Sequence, residues 1–453
     1  MGWKKGGKIT MLTNNTYKLI TKNVKKNADR YISFFQCLIQ CRSVNPFFEQ
    51  ESTEAECQQM LAHYLESIGY IVHLREPNLA ELKKYAGRPG AVDRDFEGRP
   101  NLIALSPQSR GFRALLLAGH IDTVSASEAN WVAPPFSGII KDNFIVGRGT
   151  VDMKGGIAAM VCALDLLAEL RVYPLVSFAS VVDEEAGGSG MLALADYLRH
   201  CEQLHGGAIL GEPTNLAIAT LSRGILWAEV TIKGRSGHIE VKQPSWRKGG
   251  AVDAIQKALY VVKALKKLNN IWAKQSRKRH PLLPRPCRVE IARIQGGHSP
   301  TSFADVCTLT LNIQYLPDER DECGGGGRIK TEIETYLKEI ASKDPWLREN
   351  PPYIKWIVDA DSFELSGDNT IVEIAKEALT RLGERPVLRG VETHTDAGAL
   401  HEIGKIPVII LGPGQMHLAH QVNEKLGIKE FLKAIAIYAA ISLLWTETQT
   451  SES

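Results

Sequence analysis

Acidic residues and histidines recur in this sequence directly after short apolar runs, with glycine close by. In GHIDTV, His120 and Asp122 follow the run ALLLA. Two positions apart in extended chain, they project from one side of a strand. An aspartate so placed can orient a metal-binding imidazole, although a plain hydrogen-bonded pair is the simpler reading. In GRGTVDMKGG a glycine-rich loop sets Asp152 just ahead of a helical pattern, where the helix dipole favours a carboxylate and an N-cap role is the simpler reading. Neither GxGxxG nor GxxxxGK[ST] is present, which argues against a phosphate cradle. In DEEAGGSG the run 177–182 leads into Asp183, Glu184 and Glu185. Adjacent carboxylates at the end of a buried strand repel unless a cation or a shared proton intervenes. A metal relieves this, with one carboxylate as ligand and its neighbour free to take a proton from water; two solvated loop glutamates are the alternative. Glu212, in LGEPT, ends a further apolar run, where a turn residue before proline is the simpler reading, and GPGQMHLAH offers His417 or His420 after VIIL.

Imidazoles mixed with hard carboxylates, without thiolate, suit Zn²⁺ or a similar divalent ion at a catalytic site. Two histidines and three carboxylates exceed what one catalytic zinc takes. A pair of ions about 3.5–4 Å apart that share one carboxylate accommodates them all. The eight cysteines are scattered without a Cys-x-x-Cys pair, so free, mostly buried thiols are expected rather than a disulfide framework.

The elements that must position these residues follow from hydrophobic patterning. Runs at 101–105, 114–118, 177–182, 208–210 and 407–411 read as buried strands, and 155–170 and 429–444 as buried helices, the pattern of an α/β sheet with parallel strands. Five of the chemistry-bearing motifs then fall at carboxyl ends of strands, the edge where open α/β sheets bind ligands. The pattern changes near Gly224: alternating strands at 225–232, 288–294, 307–315 and 353–358 surround helical stretches at 251–274 and 329–340. We therefore expect a mixed, mostly parallel sheet with helices on both faces, built from residues 1–222 and 361–453 and interrupted by a smaller α+β unit at 223–360. The four glycines of 324–327 read as a turn within that unit. The basic run 277–280 reads as a solvated helix end, since no aromatic platform accompanies it.

With 453 residues, two domains are the natural expectation. The 54 Lys and Arg nearly cancel the 51 Asp and Glu, for a net +3, so no global field recruits nucleic acid or membrane and a small-molecule partner is favoured. The longest apolar stretches fall short of the roughly 20 residues of a spanning helix. The N-terminal segment lacks a secretory h-region, and Gly6 stands where a myristoylation motif at Gly2 wants Ser or Thr. Cytoplasmic residence is the expectation.

Taken together, GHIDTV, GRGTVDMKGG, DEEAGGSG, LGEPT, RSGHIE and GPGQMHLAHQVNE, in that order from about residue 100 onward, resemble the aminoacylase and acetylornithine deacetylase family of metallohydrolases. That family also includes succinyl-diaminopimelate desuccinylase and several dipeptidases and carboxypeptidases. The resemblance implies His120, Asp152, Glu185, Glu212 and His420 as ligands of two Zn²⁺, with Co²⁺ able to substitute; it implies that the Asp152 carboxylate bridges the ions and that a cis peptide follows Asp152. It implies Glu184 as general base, Asp122 as the partner orienting His120, and Asp396 on the substrate side. The insert would be a lid and homodimer surface whose His238 stabilises the oxyanion in the partner's site. The implied reaction is deacylation of an N-acyl amino acid or related small amine, with exopeptidase action or a silent metal-binding homologue as alternatives. Two departures stand out: HSPTSFAD replaces the usual Asn-x-x-Pro after Gly296 and Gly297, and Gln314 occupies the position of an arginine that commonly holds the substrate carboxylate.

Overall fold

The computed structural model describes residues 14–85, 95–106, 112–126, 130–201 and 204–451; the N-terminal Gly2 and Gly6 lie outside them. In chain order the strands begin with β1 (Ile71–Arg75), β2 (Asn101–Leu105), β3 (Ala114–His120), β4 (Ile139–Lys141), β5 (Phe144–Val146), β6 (Val176–Val181), β7 (His205–Leu210) and β8 (Ile218–Ser222). There follow β9 (Gly224–Lys233), β10 (Val289–Gly296), β11 (Val306–Tyr315), β12 (Tyr353–Ala360), β13 (Phe363–Glu364), β14 (Leu388–Val391), β15 (Val408–Ile410) and β16 (Lys425–Gly427).

The large sheet runs β1-β2-β6-β3-β7-β15-β8-β13, with β14 also paired to β8. Its centre, β6-β3-β7-β15, is parallel, while the β1, β2 and β13 flanks pair antiparallel. Parallel central strands are buried on both faces, which is why β3 and β6 are apolar or small almost throughout and fully buried. The helix Lys154–Glu169 packs between this sheet and the helices Ala28–Gln40 and Ile428–Ser451. Glycine permits that approach: a Cβ on Gly156 would lie 2.2 Å from the carbonyl oxygen of Gly211, at the end of β7. No helix among the described residues is long and apolar enough to cross a membrane.

A second sheet, β10-β11-β9-β12, is wholly antiparallel. Its strands alternate: Leu309, Leu311, Ile313 and Tyr315 point into a core of their own, while Asn312 and Gln314 face the other way. Two hydrophobic cores result, one drawing on side chains within 17–219 and 363–445, the other within 221–347. The basic run 277–280 is the solvated helix end that its composition suggests only in part: Arg277 and Arg279 are exposed, but Lys278 is not. Ser276–Lys278 is a 3-10 turn, and the Lys278 side chain is fully buried over the ring of Trp272, 3.6 Å from Nζ to the centroid. Its ammonium pairs with Glu319 at 2.6 Å and Glu332 at 3.3 Å. Those acids lie 41 and 54 residues away, out of reach of local pattern reading. All eight cysteines are free; four are buried, and Cys37 and Cys323 are exposed.

Candidate active site

Because β6, β3, β7 and β15 run parallel, their carboxyl ends share one edge, and each delivers one of the acidic or imidazole motifs there. His120 closes β3 and is fully buried. Its Nδ1 lies 3.0 Å from the backbone carbonyl of Asp122 and 3.4 Å from the carboxylate, which fixes the proton on that nitrogen and leaves Nε2 as the ligand atom. Nε2 lies 3.1 Å from Asp152 Oδ1 and 3.4 Å from Glu212 Oε1. The other oxygen of Asp152 faces His420 Nε2 at 3.3 Å, and His420 in turn lies 3.1 Å from Glu185 Oε2. Two groups form, His120/Asp152/Glu212 and Asp152/Glu185/His420, each with candidate ligand atoms within 4.8 Å of one another. Asp152 belongs to both, one oxygen to each, and the peptide after it is cis.

The supports of this arrangement come from distant parts of the chain. After β6 the backbone turns through Asp183, φ 72°, into the 3-10 turn Glu184–Ala186. The N–H groups of Glu184 and Glu185 then donate to Oδ1 and Oδ2 of Asp122 at 3.2 and 3.1 Å, and Asn45 Nδ2 donates to Oδ2 at 2.8 Å. The loop carrying Asp152 is held by Glu424, which accepts the N–H groups of Val151 and Asp152 at 2.8 and 3.2 Å and pairs with Arg148 at 2.6 Å. Lys154, fully buried, donates to the carbonyls of Leu38 and Cys41.

Electrostatics define what the site needs. Burial and the surrounding acids push Glu184 well above the usual carboxylate range, and burial with Asp152 raises Glu212 to about 7. Glu185 is raised by burial in spite of His420. Burial alone would lower both histidines, but Glu212 beside His120 and Glu185 beside His420 outweigh it and hold both imidazoles well above their ordinary value. So many converging anions are strained as a protein-only cluster, and divalent cations relieve them. With two nitrogen and three carboxylate donors and no sulfur, the donor set fits a pair of such ions.

Glu184 is left over. Its Oε2 is 4.0 Å from His120 Nε2, and it groups instead with His394 and Asp396. Asp396 is 1% exposed, with Oδ2 unpartnered, at the start of the helix Ala397–Glu402. His394 was missed in the sequence, although His394-x-Asp396 repeats the spacing of His120-x-Asp122. Burial drops its imidazole to about 4, so it is neutral. His417 is exposed and belongs to neither ligand group. His238 is also exposed, bridged to Ser302 and away from this chain's own cavity lining. That cavity, about 480 Å³, lies between Asp152, Glu184, Glu185, Glu212 and His420 on one side and β9, β11 and β12 on the other.

Comparison with known proteins places this geometry in context. Residues 116–443 match peptidase family M20/M25/M40. An N-formyl-4-amino-5-aminomethyl-2-methylpyrimidine deformylase of Halalkalibacterium halodurans is 30% identical over 444 residues, covering 91% of this chain and 93% of that protein. An acetylornithine deacetylase of Pectobacterium carotovorum is 26% identical, covering 90% and 96%. Among solved structures, the di-peptidase Dug1p of Saccharomyces cerevisiae superposes with a TM-score of 0.76 at 15% identity, covering 96% of this chain and 99% of that one.

Proposed function

Since the chain belongs to peptidase family M20/M25/M40 and is a metal-dependent amide hydrolase, we propose that it is a deformylase of an aminomethyl-substituted nitrogen heteroaromatic. The observation that carries the reading is similarity along nearly the whole chain to a protein of that activity. Deacylation of an N-acyl amino acid is the second reading, favoured by the acetylornithine deacetylase relative.

The five donors His120, Asp152, Glu185, Glu212 and His420 would hold two Zn²⁺, replaceable by Co²⁺. When bound, such ions lower the pKa of water at the site and polarise a carbonyl. Glu184, 4.0 Å from His120 Nε2 but outside both ligand groups, takes the proton of the attacking water and returns it to the leaving amine. Asp122 holds the His120 tautomer and, through two peptide N–H groups, the position of Glu184 and Glu185. Asp396, which groups with Glu184 and His394 and whose carboxyl burial holds well above the usual range, lies on the substrate side of the base. Residues 223–360 form the lid and homodimerisation unit; exposed apolar side chains such as Ile239, Val241 and Ile294 support a partner there. His238 of the partner subunit would then stabilise the oxyanion. A cytoplasmic setting suits a small-metabolite hydrolase.

The test is a panel of three substrates offered to the Zn²⁺-loaded protein: the N-formyl aminomethylpyrimidine, N-acetylornithine and a dipeptide. The reading expects kcat/KM for the formamide to exceed the others by at least 100-fold. Preference for N-acetylornithine or the dipeptide refutes it.

A further inference from the structure

The cavity wall opposite the cation ligands is built from two rows across the second sheet. Strand register sets Asn312 beside Trp227 and Val358 in one row, and Gln314 beside Ile225 and Ala360 in the next. A bulge between Trp356 and Val358 brings Val358 and Ala360 onto this face of β12. All six line the cavity. Among the described residues that line it there is no lysine or arginine. Behind the wall the Arg223 guanidinium, its side chain 2% exposed, is engaged at both terminal nitrogens, while its buried Nε has no partner: Nη1 donates to Gln314 Oε1 at 2.8 Å, Nη2 to the carbonyl of Arg285, and Glu392 lies 3.8 Å from Nη1.

This has two consequences. The positive charge that would hold a substrate carboxylate is spent behind the wall. The Arg223 bond also fixes the Gln314 amide, with its oxygen inward and its NH₂ left as a pair of donors. Asn312, on the same face two residues earlier, offers one acceptor and two donors, and its side chain has no hydrogen-bond partner within the described chain. Trp227 between the strands offers an apolar ring. A flat, uncharged ring with acceptor nitrogens and an amino substituent matches that set, whereas an α-carboxylate meets no cation on this wall.

We propose that Gln314, oriented by Arg223, together with Asn312 and Trp227, is the specificity wall that selects a neutral nitrogen-heteroaromatic amine and rejects carboxylate-bearing substrates. The proposal rests on the deformylase reading and assigns its discrimination to named residues. These residues set affinity, so their loss acts on KM more than on kcat.

The test compares kcat and KM for the N-formyl aminomethylpyrimidine and for N-formylbenzylamine, which keeps the ring shape and scissile bond but lacks every ring nitrogen and the amino group. In Gln314→Leu the ratio of kcat/KM for the pyrimidine over the benzylamine is expected to fall at least tenfold, mostly through KM, as one buried hydrogen bond is lost. Gln314→Glu keeps the shape and pairs with Arg223 but replaces donors with acceptors, so the same fall is expected in a variant with a secure fold. Gln314→Arg is expected to raise kcat/KM for N-acetylornithine. A wild-type protein active on the pyrimidine whose ratio survives both Gln314→Leu and Gln314→Glu overturns the wall alone. A wild-type protein inactive on both formamides overturns the deformylase reading and the wall with it.

Discussion

Replacing Asp122 with asparagine tests the site through its support rather than its ligands. Asp122 is fully buried, yet its partners, His120, Asn45 and Arg99, hold its carboxyl below the usual range in spite of that burial. The surroundings thus stabilise the anion, and losing it is a net cost. Oδ1 accepts the Glu184 N–H, while Oδ2 accepts the Glu185 N–H and the Asn45 amide. An asparagine must turn its NH₂ toward one of these donor sets. The cheaper orientation meets Glu184, leaves one buried N–H unpaired at about 1–3 kcal/mol, and weakens the two remaining bonds from charge-assisted to neutral at about 1 kcal/mol each. The sum is about 3–5 kcal/mol, read as the change in unfolding free energy of the metal-stripped protein in urea. Because the same carboxylate orients His120, affinity for Zn²⁺ measured by chelator competition is expected to fall 10–100-fold. A loss of stability below about 1 kcal/mol together with unchanged affinity would refute the reasoning.

Glu184→Gln is expected to retain both metal ions while kcat drops by about 10²–10⁴, checked by metal analysis beside steady-state kinetics; kcat within tenfold of wild type excludes Glu184 as the base. In the metal-free protein the imidazoles of His120 and His420 and the carboxyls of Glu184, Glu185 and Glu212 are all raised. Raised histidines stabilise below their unfolded value near 6.5 and lose that contribution as pH climbs, and raised acids lose theirs as pH passes through about 7 for Glu212. Thermal unfolding of the stripped protein should therefore fall from pH 5 to 9, whereas Zn²⁺ binding should release protons, seen by calorimetry in buffers of different ionisation enthalpy; zero net release contradicts the assignment. Lys278→Met leaves the buried Glu319 with less compensation and should cost about 3 kcal/mol in urea denaturation without altering metal content.

Much of the site was readable because its residues break a rule locally: charged side chains at the ends of strands too apolar to be surface. His120, Glu185 and Glu212 stand out for that reason, and the parallel centre of the sheet brings them to one edge; Asp152 stands instead in a glycine-rich loop before a helix, and only the family resemblance chose His420 over His417. Element bounds also followed from patterning, as for the run read at 101–105 and found as β2. What the sequence hid depends on separation. Glu424 holds Asp152 across 272 positions, Asn45 holds Asp122 across 77, and neither interval leaves a periodic trace. Lys278 looks solvated because its charge partners Glu319 and Glu332 come from distant segments; its aromatic neighbour Trp272 ends the helix just before it and was within reach of the sequence. The two-row wall needed the register of three strands and the bulge in β12, and hydrophobic alternation alone does not report register.

The central claim is a two-ion site with Glu184 left free, and anomalous diffraction at the zinc edge from crystals of the loaded protein tests it most directly. The account predicts two peaks per chain, one touching His120 Nε2, Asp152 and Glu212, the other Asp152, Glu185 and His420 Nε2, with neither within bonding distance of Glu184. One peak, or an ion bonded to Glu184, contradicts it.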